Sequence, residues 1–198
     1  NDNLDITRAQ YRLLDDNAAR LDIARAIVRG KMGNALALMR RVGRHRPALA
    51  DLHPGFSQAT ADACNAVGAA ETASQLMGIE GAQAAAYFTL WRSLLPEEWG
   101  FSGRKRQPPP DPINSLLSYG YTLLYYNVLT LVLARGLQPH LGVLHSPRSG
   151  HHALVSDLME EFRAPVVDAL VLDLVLNGKV KHDGFAWPED AGGACLMA

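Results

Sequence analysis

The strongest constraint on the fold of this chain is the stretch Ser115 to Ala134, which carries no charged residue and is bracketed by Asp111-Pro112 before it and Arg135-Gly136 after it. Asp111 reads as an N-cap, Pro112 fits the first helical turn, where a missing N–H loses no hydrogen bond, and Gly136 is a C-terminal stop. The bracket therefore predicts one helix over about 111–135. A charge-free run of that length could also span a bilayer. Ser115, Ser118, Gly120 and Asn127 interrupt it, and its tyrosines are spread along it rather than gathered at two interfaces. The expectation is a buried central helix and no membrane contact.

What surrounds that helix is rich in Ala and Leu and poor in alternating β-branched residues, which predicts a compact all-α, multi-helix domain. Thr7 to Leu14 reads as a short helix. Asp15 or Asp16 then caps a long one to about Arg41, with Leu21, Ala24, Val28, Met32, Ala35 and Met39 at three- and four-residue spacing. Gly30 and Gly33 weaken it by roughly 1 kcal/mol each relative to Ala and leave room for close approach. After a loop from Pro47 to Gly55, an alanine-rich helix is expected from Ser57 to Gln75. Another runs from Gly78 to Leu95, carries Glu80 at its start and ends at Pro96. Trp99 to Pro110 is a Gly- and Pro-rich loop in which Trp99 and Phe101 are expected to anchor on the core. Ala153 to Phe162 is amphipathic, and Pro165 starts a last helix reaching Gly178. The whole of 1–198 reads as one domain, with 179–198 an irregular tail.

Charge is balanced, 19 Lys and Arg against 20 Asp and Glu, so binding to nucleic acid has to rest on local patches. Two exist: Arg40-Arg41-Val42-Gly43-Arg44-His45-Arg46 at the end of the long helix, and Arg104-Lys105-Arg106 in the proline loop. Either complements a helix terminus or solvates a connector, or else tracks a phosphate backbone. Cys64 and Cys195 are two and far apart, as expected of reduced thiols in a cytoplasmic protein. The opening Asn1-Asp2-Asn3-Leu4-Asp5 is polar, acidic and without Met, and the chain stops after Cys195-Leu196-Met197-Ala198 as if inside an element. The expectation is a fragment of a longer protein.

Asp157 and Glu160, three residues apart, share a helix face just after the loop that holds His145; Glu161 points away from them. One imidazole nitrogen with two or three carboxylate oxygens is a hard, mixed donor set that suits Mn²⁺ or Mg²⁺ and lacks the thiolates of a structural zinc site. His140, His151 and His152 are alternative imidazoles, and spacing does not choose among them.

Several runs, taken together and in order, resemble the C-terminal helical domain of the CRISPR-associated spacer-acquisition integrase, the Cas-one family. They are Leu76-Met77-Gly78-Ile79-Glu80-Gly81, Gly103-Arg104-Lys105-Arg106-Gln107-Pro108-Pro109-Pro110-Asp111-Pro112-Ile113-Asn114, Leu116-Leu117-Ser118-Tyr119-Gly120-Tyr121, Leu141-Gly142-Val143-Leu144-His145 and Asp157-Leu158-Met159-Glu160-Glu161-Phe162-Arg163. Weaker similarity reaches back through Lys31 to Asn34 and Gln10-Tyr11-Arg12. The resemblance implies a metal-dependent DNA endonuclease and integrase, in which a spacer's 3′-hydroxyl attacks a phosphodiester of the CRISPR repeat. It puts the metal ligands on Glu80, His145 and Glu160 and a supporting acidic position on Asp157. DNA contacts are expected from Arg104, Lys105, Arg106, Arg41 and Arg44. It further implies Mg²⁺ or Mn²⁺ as cofactor, double-stranded and branched DNA as substrate, and a homodimer bridged by the small Cas-two protein. The family's N-terminal β domain is absent from these residues. The alternative from another class is a non-catalytic DNA-binding or assembly module with the same fold.

Overall fold

The computed structural model describes residues 2–44, 46, 53–146, 148–189 and 192–197. It is all-α apart from one two-stranded ribbon near the end of the chain. The first helix, α1 (Asp2–Asp15), is longer than its short pattern suggested. It is tied down by Gln10, whose side-chain amide clamps Gln138 through both its groups, accepting from the amide N–H at 2.8 Å and donating to the carbonyl at 3.3 Å. Asp16 starts α2 (Asn17–Arg44) by accepting from the N–H groups of Ala18 and Ala19 at 3.1 and 3.0 Å, as its sequence position predicts.

The next two helices depart from expectation. α3 (His53–Ala69) ends before Gln75, and α4 (Ala73–Leu94) begins well before Gly78. The cause is a capping box at Thr72: its hydroxyl accepts from Gln75 N–H at 3.2 Å, and Gln75 Oε1 accepts from Thr72 N–H at 3.1 Å. Glu80 therefore sits inside a formed helix, held by its neighbouring turns, rather than at a fraying end. Residues 47–52 of the expected loop, and His45, lie outside the described residues, while 53–55 are helical.

Asp111 caps α5 (Pro112–Ala134) through Asn114 N–H at 2.8 Å, and Gly136 closes the helix at φ 70°. α5 is the central helix expected, with one face buried along its whole length through Leu117, Tyr121, Val128 and Val132. Ile113, Asn114 and Leu117 are sealed in the core, whereas farther along Tyr126, Leu131 and Leu133 are exposed. The helix is long and apolar enough to cross a membrane by length and composition. Its buried face nevertheless packs into the core of this domain, with Asn114 bonded to Arg104, Gly103 and Asp111. Trp99 and Phe101 anchor the proline loop as expected, each nearly fully buried.

Pro165 does not start a new helix. α6 (Ala153–Phe162) runs through a π-helical segment (Arg163–Asp168) into α7 (Ala169–Leu176). Proline lacks an N–H and crowds the preceding turn, and the wider π turn accommodates both. The tail is less irregular than its composition. β1 (Phe185–Ala186) pairs antiparallel with β2 (Leu196–Met197), and the unit is pinned to the proline loop by Cys195 N–H on the Pro109 carbonyl at 2.7 Å and Trp187 Nε1 on the Pro110 carbonyl at 3.0 Å. Both cysteines are free thiols.

Two hydrophobic clusters fill the interior. The larger joins α2, α4, α5, α6 and α7 around Trp91, Ile113, Leu117, Val155 and Met159. The smaller contains Val28, Met32, Leu76, Val143 and Leu144. Each such side chain stabilises the fold by about 1.5–3 kcal/mol on full burial. Met32 adjoins Lys31, Leu76 is one turn before Glu80, Leu144 precedes His145, and Met159 precedes Glu160. Packing these apolar residues is what draws their polar neighbours together.

Candidate metal centre

Glu80 of α4 and Glu160 of α6 meet at the ammonium of Lys31 on α2. Lys31 Nζ donates to Glu80 Oε1 and stands 2.6 Å from Glu160 Oε2. The same Glu160 oxygen lies 3.0 Å from Arg163 Nε, and the Arg163 guanidinium stacks 4.6 Å above the ring of Tyr121. Despite these two cations, Glu160 Oε2 is buried without a hydrogen bond of good geometry. The two charges compensate it. Burial pushes the Glu160 carboxyl up, while Lys31 and then Arg163 pull it down harder, so its pKa falls below the ordinary value. Glu160 is held as a carboxylate.

His145 is positioned by Asp157, which is completely buried. Asp157 Oδ2 accepts from the N–H groups of Val143 and Leu144 at 2.6 and 3.1 Å, and Oδ1 from His145 N–H at 2.9 Å. Oδ1 also lies 2.7 Å from His145 Nδ1. Since a carboxylate only accepts, Nδ1 carries a proton, and in the neutral ring Nε2 then has the lone pair, the arrangement of a metal-ligating imidazole. Asp157 thus spends both oxygens on the bend and the ring. It supports the site as an orienting group and has no oxygen to spare as a ligand. Gly142 makes the close approach possible: a Cβ there would lie 2.7 Å from Ala153 Cβ and 2.8 Å from Asp157 Oδ2.

The other imidazoles are committed differently. His152 Nδ1 pairs with Tyr125 OH at 2.7 Å, His140 Nδ1 with the His151 carbonyl at 3.0 Å, and His151 Nε2 with Ser156 Oγ at 3.3 Å. Of the four histidines in this segment, only His145 is backed by a carboxylate. Glu161 does point away, lying against Gly30 of α2, where a Cβ would come within 2.7 Å of its Oε1; at Gly33 nothing lies close. Among the described residues no three His, Cys, Asp or Glu side chains stand as a ready-made ligand set, and Lys31 stands between the two carboxylates. The donor chemistry nevertheless fits a hard divalent ion: two carboxylates already gathered around a cation, one of them with a buried, poorly bonded oxygen, and an imidazole with a fixed tautomer.

Lys31 and Glu80 line a cavity of about 580 Å³ whose wall also carries Arg92, Arg104, Arg106 and Arg163. Arg104 is half-buried, donating to Asn114 Oδ1 at 2.9 Å and Ser118 Oγ at 3.1 Å, and burial lowers its pKa. Lys105 and Arg106 are exposed. Arg41 and Arg44 are exposed in the last turn of α2, while Arg46 donates to the Leu176 carbonyl at the end of α7. Deeper in the same cavity wall, Asp168 accepts from Tyr121 OH at 2.5 Å and Tyr87 OH at 2.9 Å. Burial raises Asp168 to about 6 against the pull of those two bonds.

Sequence reasoning assigned no role to Lys31, Arg163 or Asp168. Lys31 had a readable signal, a lone cation beside Val28, Met32 and Ala35 on the buried side of α2. Asp168 had none, since its inward direction depends on the π turn.

A helical domain with paired carboxylates, an aspartate-oriented imidazole and a cation-lined cavity has groups suited to a phosphate-bearing substrate. The sequence profile of the family described as CRISPR associated protein Cas1 matches residues 1–198, and the chain belongs to that family. It is 46% identical over 172 residues to a CRISPR-associated endonuclease Cas1 of Thermus thermophilus, covering 86% of this chain and 49% of the relative. Among solved structures it superposes on a partial Cas6-RT-Cas1–Cas2 complex with TM-score 0.87 and 30% identity, covering all of this chain and 58% of that one. A casposase bound to integration product matches with TM-score 0.82 and 26% identity, over all of this chain and 54% of that one. The chain spans about half the length of the curated relatives it matches.

Proposed function

We propose that these residues form the catalytic helical domain of a DNA endonuclease and integrase of CRISPR adaptation, with Glu80, Glu160 and His145 Nε2 as ligands to Mg²⁺ or Mn²⁺. The observation that carries this reading is the meeting of two carboxylates from different helices at one cation, in a domain that also holds an imidazole whose Nδ1 pairs with a buried aspartate. A divalent ion held there by Glu80, Glu160 and His145 would neutralise phosphate charge and acidify a 3′-hydroxyl. The chain's own groups supply the rest. Asp157 fixes the ring and tautomer of His145, Arg163 orients Glu160, and the arginines of the cavity wall attract and place the phosphate backbone.

The substrate is double-stranded or branched DNA, the spacer and the CRISPR repeat, with Lys105, Arg106, Arg41 and Arg44 as exposed phosphate contacts. The protein works as a homodimer with the small Cas2 protein. Membership of the Cas1 family, relatives named as endonucleases, and neighbours solved with Cas2 and with an integration product support this reading. The test is nicking and disintegration of a branched DNA with Mn²⁺, Mg²⁺ or chelator, comparing the protein with Glu80→Ala. Product that needs metal and disappears in the variant is expected. DNA binding without metal-dependent product, equal in both proteins, would instead identify a non-catalytic assembly module.

A further inference from the structure

Glu160 has two cations, and they differ in what else holds them. Arg163 is stacked on Tyr121 and belongs to the helix that carries Glu160. Lys31 comes from another helix on a flexible four-carbon stem, and it also pairs with Glu80. An ammonium is a compact charge with rotatable donors and re-aims easily, whereas a stacked planar guanidinium does not. All three charged groups are sheltered, with side-chain exposures of 22% for Lys31, 23% for Glu80 and 5% for Glu160. Two carboxylates so placed need a counter-charge. Two carboxylates and two cations balance; a divalent ion added to them leaves a surplus of positive charge facing the cavity that Lys31 also lines.

We infer that Lys31 is an exchangeable resident cation: it holds Glu80 and Glu160 together until a divalent ion takes its place, and the displaced ammonium then meets a DNA phosphate in the cavity. This rests on the metal reading above and extends it. Metal and DNA then favour each other's binding, because each relieves Lys31 of a cost that the other alone would leave.

Mn²⁺ affinity is measured from the free-ion EPR signal, with and without a short DNA duplex, for the wild type, Lys31→Met, Lys31→Gln and Glu80→Gln, alongside thermal midpoints in chelator and in Mn²⁺. Without DNA, Lys31→Met should bind Mn²⁺ about tenfold tighter or more, the equivalent of one lost competing ion pair. DNA should tighten Mn²⁺ binding by roughly fivefold or more in the wild type and hardly at all in the variant. The variant's midpoint should fall in chelator and recover in Mn²⁺. Lys31→Gln should behave alike, and it decides the question if Lys31→Met does not fold. Glu80-dependent Mn²⁺ binding that Lys31 replacement leaves unchanged or weakens, or a DNA effect that survives the replacement, overturns the exchange alone. Absence of any Mn²⁺ binding that Glu80→Gln reduces overturns the metal reading and the exchange with it.

Discussion

Replacing Asp157 by Asn changes one atom in a fully buried group and separates its structural role from its chemical one. The carboxylate accepts four N–H groups, two on each oxygen. An amide has one oxygen, so its NH₂ must face two of those donors. Facing Val143 and Leu144, it would orphan two backbone N–H groups at about 1–3 kcal/mol each. Facing His145, it orphans only one, because the imidazole can move its proton to Nε2 and accept at Nδ1. The second orientation wins. Asp157→Asn should therefore fold, with a loss of about 2 kcal/mol, but its Nε2 is protonated and unfit as a ligand. Losing such an orienting partner reduces metal affinity roughly 10–100-fold. Asp157→Ala, which strands all four donors, should lose about 4 kcal/mol or more. Urea midpoints measure the stability, ¹⁵N shifts of labelled histidine report the tautomer, and Mn²⁺ titration reads the affinity. An Asn variant within about 0.5 kcal/mol of wild type, with Nδ1 still protonated and Mn²⁺ affinity unchanged, would refute the reasoning.

Asp168 makes stability fall as pH rises. Its folded pKa of about 6 lies above the ordinary carboxyl value, so the folded state holds its proton more tightly. That contribution is full below about pH 4 and lost as pH climbs through about 6, some 3 kcal/mol in all. The stability difference between wild type and Asp168→Asn should shrink by most of that amount, about 2.4 kcal/mol, from pH 4 to pH 7; a constant difference would contradict it. Gly142→Ala drives a methyl into the backbone of Ala153 and into Asp157, and the thermal midpoint should drop by roughly 5–10 °C. Gly33→Ala, in a helix with open space at that position, is the control and should not lower it.

Local chemistry made the helices legible. The Asp16 and Asp111 caps, the Gly136 stop and the apolar spacing of α2 and α6 act within a few residues of themselves, so they can be read without the fold. Thr72-x-x-Gln75 was equally local, and it alone divides α3 from α4. The ordered runs that resemble the Cas-one family already pointed to Glu80, His145 and Glu160, and two of these do converge on one cation.

Only the tertiary structure decided how the centre is wired. Lys31, Glu80 and Glu160 come from three helices, and their meeting depends on two apolar clusters assembled from distant segments. Asp157 reads in the sequence as a supporting acid beside Glu160; its buried position beneath the Val143–His145 bend makes it an orienting group. Asp168 turns inward because the proline widens a turn. Caps and periodicity are short-range interactions and leave a trace in the sequence, whereas the direction and partner of a buried charge are set by packing between elements that the sequence does not place side by side.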